Sequence, residues 1–246
     1  MDGMNPPPRV EELVFEADGF RLRATLHLPE SPGPPVVIGC HGLLSDRHSP
    51  KQIALARACS ERGLAFLRLD HRGCGQSAGR IEEVTTLAAR VDDVHAAIRM
   101  IASRPDLDAG RIGLFGSSMG GAVCIAAAAA AEAAALVTFA APVRSRPLTA
   151  RPLPPGAGAE QRRMRSILRE EFDLAGRLPR VGRILVVHGA ADGIVPPAHA
   201  QEIYERAREP KRLIIQPGGD HRMSAEAHQR EFLAEAAGWF QRLMTL

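Results

Sequence analysis

The sequence predicts an α/β fold in which a mostly parallel sheet is flanked by helices. Short, continuous apolar runs alternate with helical segments, and the loops between them are short. The run Val36-Val37-Ile38-Gly39-Cys40 is typical of a strand buried on both faces. At Gly116-Ser117-Ser118-Met119-Gly120, an apolar strand gives way within a few residues to an alanine-rich helix. In such folds the chemically active side chains follow the carboxyl ends of the strands.

The strands are predicted from apolar runs and from period-2 alternation. The first two alternate around Ala17-Asp18-Gly19, whose Asp-Gly pair is a strong hairpin signal. The eight predicted strands are Val10–Phe15, Phe20–Leu28, Val36–Cys40, Leu64–Leu69, Arg111–Phe115, Ala135–Ala140, Ile184–Val187 and Arg212–Ile215.

The helices are predicted from the segments between these strands. Ser49-Pro50 is a helix start, with Ser49 as the expected N-cap and Pro50 at the first helical position. The six predicted helices are Pro50–Glu61, Val84–Ser103, Ala122–Ala135, Glu160–Glu171, Pro197–Arg208 and Ser224–Met244.

Length and composition predict a single domain over residues 1–246, interrupted by a proline-rich insertion at residues 142–182. The net charge of +3 comes mainly from dispersed arginines, so we expect no nucleic-acid partner. Residues 1–9 lack the apolar core of a signal peptide. The alanine-rich run 120–142 contains Glu132 and divides into a helix and a strand, so we expect no membrane association and a cytoplasmic location.

Ser118 is the candidate nucleophile, because it stands at the centre of Gly-x-Ser-x-Gly between a strand and a helix. A strained turn there would lift its hydroxyl clear of the backbone, and the following helix would direct its N-terminal amides at the site. The competing interpretation is a merely flexible glycine-rich turn. The strand before the motif and the helix after it favour the catalytic interpretation.

A serine nucleophile needs a base and a group that orients the base. Among nine histidines, His221 follows the last predicted strand, whereas His48 and His71 in polar loops are weaker candidates. Asp192 lies in the loop after the preceding strand and is the predicted acid. Asp220 is adjacent to His221 in sequence and cannot easily reach round to its imidazole.

The chain resembles the α/β-hydrolases from His41-Gly42, through Asp70-His71-Arg72-Gly73-Cys74-Gly75, to His221. It is most similar to the small bacterial serine esterases, including cinnamoyl/feruloyl esterase-like and dienelactone-hydrolase-like members. The dienelactone hydrolases proper have cysteine where this chain has Ser118. The resemblance implies an α/β-hydrolase fold, no cofactor, and a small lid formed by residues 142–182.

The same resemblance implies an oxyanion hole formed by the backbone N–H groups of Leu43 and Met119. It favours a bracing role for His41, while Gly73-Cys74-Gly75 is interpreted as a tight turn with Asp70 and Arg72 as a structural pair.

The expected substrate is a small-molecule carboxylic ester with a short acyl chain or a compact aromatic acid. The insertion leaves room for little more than one short helix, on which Met164, Ile167 and Leu168 would share a face toward the acyl group. A peptidase, thioesterase or acyltransferase with the same three side chains remains open. A non-catalytic binding protein on this fold is the alternative from another class.

Overall fold

The computed structural model describes residues 9–145, 153, 155–167 and 170–245. These form an eight-stranded sheet of order β1-β2-β4-β3-β5-β6-β7-β8. Strands β1 and β2 pair antiparallel, β2 pairs antiparallel with β4, and the remaining pairs are parallel. The strands are β1 Arg9–Ala17, β2 Phe20–Leu28, β3 Pro35–Cys40, β4 Ala65–Leu69, β5 Asp108–Ser117, β6 Ala135–Phe139, β7 Ile184–Gly189 and β8 Lys211–Gln216.

Helices cover both faces of this sheet. Helices α3, α4 and α6 pack on one face, and α1 and α7 pack on the other. This arrangement confirms the predicted α/β-hydrolase fold class. The helices are α1 Pro50–Ser60, α2 Ile81–Val84, α3 Leu87–Ala102, α4 Met119–Ala130, α5 Ala159–Ile167, α6 Ala198–Arg206 and α7 Glu226–Met244, with a 3₁₀ turn at Leu178–Arg180.

The hairpin that opens the sheet has the predicted two-residue turn. Asp18 and Gly19 both adopt positive φ values, 47° and 79°, and Ala17 pairs directly with Phe20. Two successive positive φ angles match the right-handed twist of the flanking strands, which explains the Asp-Gly sequence at this point.

The predicted helix over 84–103 corresponds to α3, which begins at Leu87, and the short helix α2 before it was not predicted. Thr86 between them is extended (φ −131°, ψ 166°), and its side chain accepts a hydrogen bond from the Ala89 N–H at 2.9 Å. Thr86 is therefore the N-cap of α3 and is not part of a helix that continues from α2. The alanine-rich helix also ends earlier than predicted, at Ala130, because Ala135 already pairs with Gly113 in the sheet.

Residues 142–182 connect β6 to β7. The predicted helix Glu160–Glu171 corresponds to α5, which ends at Ile167, and residues 168 and 169 lie outside the described part of the chain. The described segments hold no helix long and apolar enough to cross a membrane.

Candidate active site

Ser118 occupies a sharp turn between β5 and α4. Its backbone is strained, with φ 53° and ψ −121°, a region that few non-glycine residues adopt. The flanking glycines permit the turn by close packing: a Cβ at Gly116 would lie 2.2 Å from the Gly120 carbonyl oxygen, and one at Gly120 would lie 2.2 Å from the Cys40 oxygen. A side chain at either position would clash with backbone atoms, so the turn requires glycine at both.

The structure brings Ser118, His221 and Asp192 together at the carboxyl edge of the sheet. The Ser118 Oγ lies 3.0 Å from His221 Nε2, and His221 Nδ1 lies 2.8 Å from Asp192 Oδ2. These distances are those of hydrogen bonds. With the Nδ1 proton directed at the carboxylate, Nε2 is free to accept the serine proton.

Asp192 is fixed by hydrogen bonds to both of its carboxylate oxygens. Its Oδ1 accepts from the backbone N–H groups of Ile194 and Val195, each at 2.8 Å, and Oδ2 also lies 3.2 Å from His188 Nε2. Burial alone would raise the pKa of the Asp192 carboxyl, but the contacts with His188, His221 and the Val195 N–H outweigh burial and hold this pKa well below its usual range. The group is therefore a carboxylate at neutral pH.

The competing residues are engaged elsewhere. Asp220 is half-buried, and its carboxylate accepts from the Ser224 backbone N–H at 2.8 Å and from the Ser224 hydroxyl at 2.6 Å. His71 is buried, with Nδ1 3.2 Å from Asp93 Oδ2, and His48 is exposed on a loop.

Leu43 and Met119 both line the cavity in front of Ser118. Met119 is the first residue of α4, and among the described residues no hydrogen-bond acceptor faces its N–H or that of Leu43. A Cβ at Gly42 would lie 3.7 Å from Ser118 Cβ, so the loop carrying Leu43 lies directly beside the turn. Two N–H groups at this place could donate hydrogen bonds to an oxygen on which negative charge develops.

His41 braces that loop. Its Nε2 accepts from the His71 N–H at 3.2 Å, and its Nδ1 lies 2.7 Å from the Gly42 carbonyl oxygen. Burial lowers the pKa of the His41 imidazole well below its usual value, so the ring is neutral and can accept and donate at once.

Asp70 and Arg72 do not pair with each other, contrary to the sequence-based expectation. Asp70 pairs with Arg47, whose backbone N–H also donates to it at 2.7 Å, whereas Arg72 Nε donates to Asp93 at 2.7 Å. Both contacts join residues more than twenty positions apart, so no local pattern could identify them. The tight turn itself is present, since a Cβ at Gly75 would collide with the Asp70 carboxylate.

The cavity at Ser118 has a volume of about 770 Å³, within the usual range for small-molecule sites. Phe172 and Pro142 of the insertion contribute to its wall. Of the three residues expected to contact substrate, Ile167 is buried behind the wall, in an apolar cluster with Leu43 and Met119. The Met164 side chain and all of Leu168 lie outside what the structure describes.

Lys51, near the start of α1, lines the same cavity and was not among the predicted site residues. Its Nζ lies 3.6 Å from the centroid of the Phe139 ring and 3.5 Å from the Ser117 hydroxyl. Burial lowers the pKa of the Lys51 ammonium to about 7, against the opposing attraction of Asp220 and Asp192. The sequence could have identified Lys51 as a site residue, because it lies just after the loop that carries Leu43, at the carboxyl edge of the sheet.

Family models match two overlapping parts of the chain. The model described as serine aminopeptidase, S33, covers residues 33–170, and the one described as prolyl oligopeptidase family covers residues 155–246. YfhR, an uncharacterized protein of Escherichia coli O157:H7, is 31% identical over 227 residues, covering 87% of this chain and 74% of that protein. The chain is therefore a hydrolase of the α/β-hydrolase type. Within that class it belongs to the serine aminopeptidase S33 family.

Solved structures share the fold. The Pyrococcus furiosus esterase Pf2001 superposes with a TM-score of 0.83 at 18% identity, covering 96% of this chain and 91% of its own. Est1E from Butyrivibrio proteoclasticus, solved with ferulic acid bound, has a TM-score of 0.77 at 20% identity, covering 95% of this chain and all of its own.

Proposed function

We propose that the protein is a serine hydrolase that cleaves carboxylic esters through an acyl-enzyme on Ser118. The observation that carries the proposal is the hydrogen-bonded chain from Ser118 Oγ to His221 Nε2 at 3.0 Å and from His221 Nδ1 to Asp192 at 2.8 Å. The solved esterases with the same fold are consistent with this activity.

In the first half-reaction, His221 Nε2 takes the Ser118 proton as Oγ attacks the ester carbonyl carbon. The carbonyl oxygen gains negative charge, which the N–H groups of Leu43 and Met119 stabilise. Asp192 holds the ring in the required tautomer and stabilises the imidazolium. When the tetrahedral intermediate collapses, His221 donates its proton to the departing alkoxide oxygen.

In the second half-reaction, water takes the place of the alcohol. His221 removes a proton from the water as its oxygen attacks the acyl carbon. Collapse of the second intermediate releases the carboxylic acid and returns the proton to Ser118 Oγ. No step requires a cofactor.

The test compares Ser118→Ala with Ser117→Ala on p-nitrophenyl butyrate. We expect Ser118→Ala to lose roughly 10⁴-fold or more in kcat, as removal of a triad nucleophile does. Ser117→Ala should lose far less, because among the described residues the Ser117 hydroxyl is hydrogen-bonded to Lys51 and to no imidazole. Substantial turnover by correctly folded Ser118→Ala would contradict the proposal.

Peptide hydrolysis is a second candidate, favoured by the peptidase descriptions of both matching family models. The same three side chains can attack an amide, so the assay includes an aminoacyl p-nitroanilide and a p-nitrophenyl ester of the same amino acid. Cleavage of the anilide would favour a peptidase, because the amide is the less reactive of the two bonds. A short-chain acyl thioester in the same panel distinguishes thioesterase activity.

A further inference from the structure

The Lys51 ammonium in the active-site cavity forms no ion pair with any carboxylate of the described residues. Lys51 Nζ projects over the Phe139 ring and reaches the Ser117 hydroxyl at 3.5 Å. Among the described residues no carboxylate lies within 4.0 Å of this Nζ. An ammonium carries three N–H bonds. One that contacts an aromatic face and one hydroxyl can therefore still donate a hydrogen bond to a ligand.

The wall of the cavity is basic as well as apolar. Lys51, His221 and Arg222 line it, and no aspartate or glutamate of the described chain is part of that lining. The nearest acidic groups are occupied: Asp192 is bound by His221, and Asp220 is bound by Ser224. Both attract Lys51 from a distance without neutralising it by contact.

Lys51 lines the same cavity as Ser118. Ser117, which its Nζ contacts, directly precedes Ser118, and consecutive Cα atoms are about 3.8 Å apart. One small molecule in this cavity can therefore contact both Lys51 and Ser118.

We propose that Lys51 binds a carboxylate of the substrate, so that the enzyme acts on esters carrying a carboxylate near the scissile bond. The inference rests on the proposed ester hydrolysis and names its substrate class. A carboxylate fits because it accepts a short, charge-assisted hydrogen bond from an ammonium group. Burial brings the pKa of Lys51 to about 7, and a bound carboxylate would favour the charged form.

The test uses two pairs of esters matched in shape. In the first pair the anion is on the acyl side: the mono-p-nitrophenyl ester of glutaric acid and its methyl-capped neutral analogue. In the second it is on the alcohol side: 3-carboxyphenyl butyrate and its methyl ester. The readout is the ratio of kcat/KM for the anionic ester to that for its neutral partner, within one protein preparation.

The variants are Lys51→Met, which keeps the length and apolar stem, and Lys51→Gln, in case the first does not fold. Lys211→Met is the matched control, because Lys211 is the other lysine of the chain and its Nζ donates to the Ala207 carbonyl oxygen. We expect Lys51→Met to lower the ratio roughly 10- to 100-fold in at least one pair, the factor for losing a hydrogen bond to a charged group. Lys211→Met should retain the wild-type ratio.

The outcomes separate this inference from the function it rests on. Cleavage of the neutral esters with an unchanged ratio in both pairs would overturn the role of Lys51 and leave ester hydrolysis standing. Failure of wild type to cleave any of the four esters would overturn both. A ratio that falls in only the acyl or only the alcohol pair would support the inference and identify the side of the ester that carries the anion.

Discussion

His221 Nδ1 lies 2.8 Å from Asp192 Oδ2, although the two residues are 29 positions apart in sequence. Strands β7 and β8 explain this distance, because they are adjacent and parallel, so the loops that follow them meet at one edge of the sheet. Asp220, the immediate neighbour of His221, instead directs its carboxylate to Ser224.

This geometry predicts very different effects for two conservative substitutions. Asp192→Asn should lower kcat on p-nitrophenyl butyrate by roughly 10⁴-fold, because an amide at this place favours the wrong tautomer of His221. Asp220→Asn removes a carboxylate that caps a surface turn and should lower kcat only slightly. If the Asp220 variant were the more damaged of the two, the assignment of the acid would be wrong.

The sequence located the principal features of the fold and of the candidate site because they depend on local patterns. Buried strands are visible as apolar runs, and the turn at Ser118 is visible because two glycines are sterically required there. His221 and Asp192 each follow a predicted strand, which placed both residues at the carboxyl edge of the sheet. The break at Thr86 was missed, because a threonine inside a helical pattern gives no clear stop signal.

Side-chain contacts between distant residues that no motif or strand end marks could not be predicted in the same way. The Asp93 partners Arg72 and His71 lie more than twenty positions away, and the Lys51 amine contacts Ser117 from 66 positions away. Charge and spacing alone do not specify such pairs. They follow only once the sheet order is known.

Asp93 is predicted to be a major source of stability under the active-site loops. It is buried and accepts from Arg72 Nε at 2.7 Å and from the Arg72 N–H at 3.0 Å. Asp93→Asn should lower the free energy of unfolding in urea by about 3–5 kcal/mol at pH 7, the usual cost of breaking a buried pair. Asp106→Asn is the control, since its pair with Arg104 is partly exposed and should contribute about 0–1 kcal/mol.

The effect of Asp93→Asn should depend on pH. Burial opposes ionisation of Asp93, but its contacts with His71 and Arg72 lower the pKa of its carboxyl overall. A carboxyl whose pKa is lower in the folded state stabilises the fold above the unfolded pKa, about 3.9, and this stabilisation is lost as pH falls through the folded pKa. The difference between wild type and variant should therefore shrink below about pH 4, and a difference that grew there would contradict this assignment.

Ile167 is predicted to limit the acyl chain from behind the cavity wall. It is buried against Met119 and borders, with Met119 and Phe172, a small void of about 30 Å³. Ile167→Ala should enlarge this void and raise the ratio of kcat/KM for the p-nitrophenyl ester of octanoate to that of butyrate. The control is Leu178→Ala, a buried truncation elsewhere in the insertion, since each should cost about 2–5 kcal/mol of stability. An equal shift in both variants would indicate general loosening instead.

Lys51 should titrate near neutrality. Burial lowers its pKa to about 7, with Asp220 and Asp192 attracting the charge and His221 and Arg222 facing the same cavity. Acetylation by acetic anhydride needs the neutral amine, so the rate at Lys51, followed by peptide mass spectrometry, should rise with pH through a midpoint near 7. A midpoint near the ordinary lysine value of about 10.4 would show that the amine is solvated.

The most direct test of the account is to locate a trapped nucleophile. Incubation with a fluorophosphonate, followed by intact mass and peptide mapping, should give one adduct per chain, on Ser118, and Asp192→Asn should slow its formation because His221 is held in the wrong tautomer. An adduct on Ser117, or full ester hydrolysis by a protein that forms no adduct, would contradict an acyl-enzyme on Ser118.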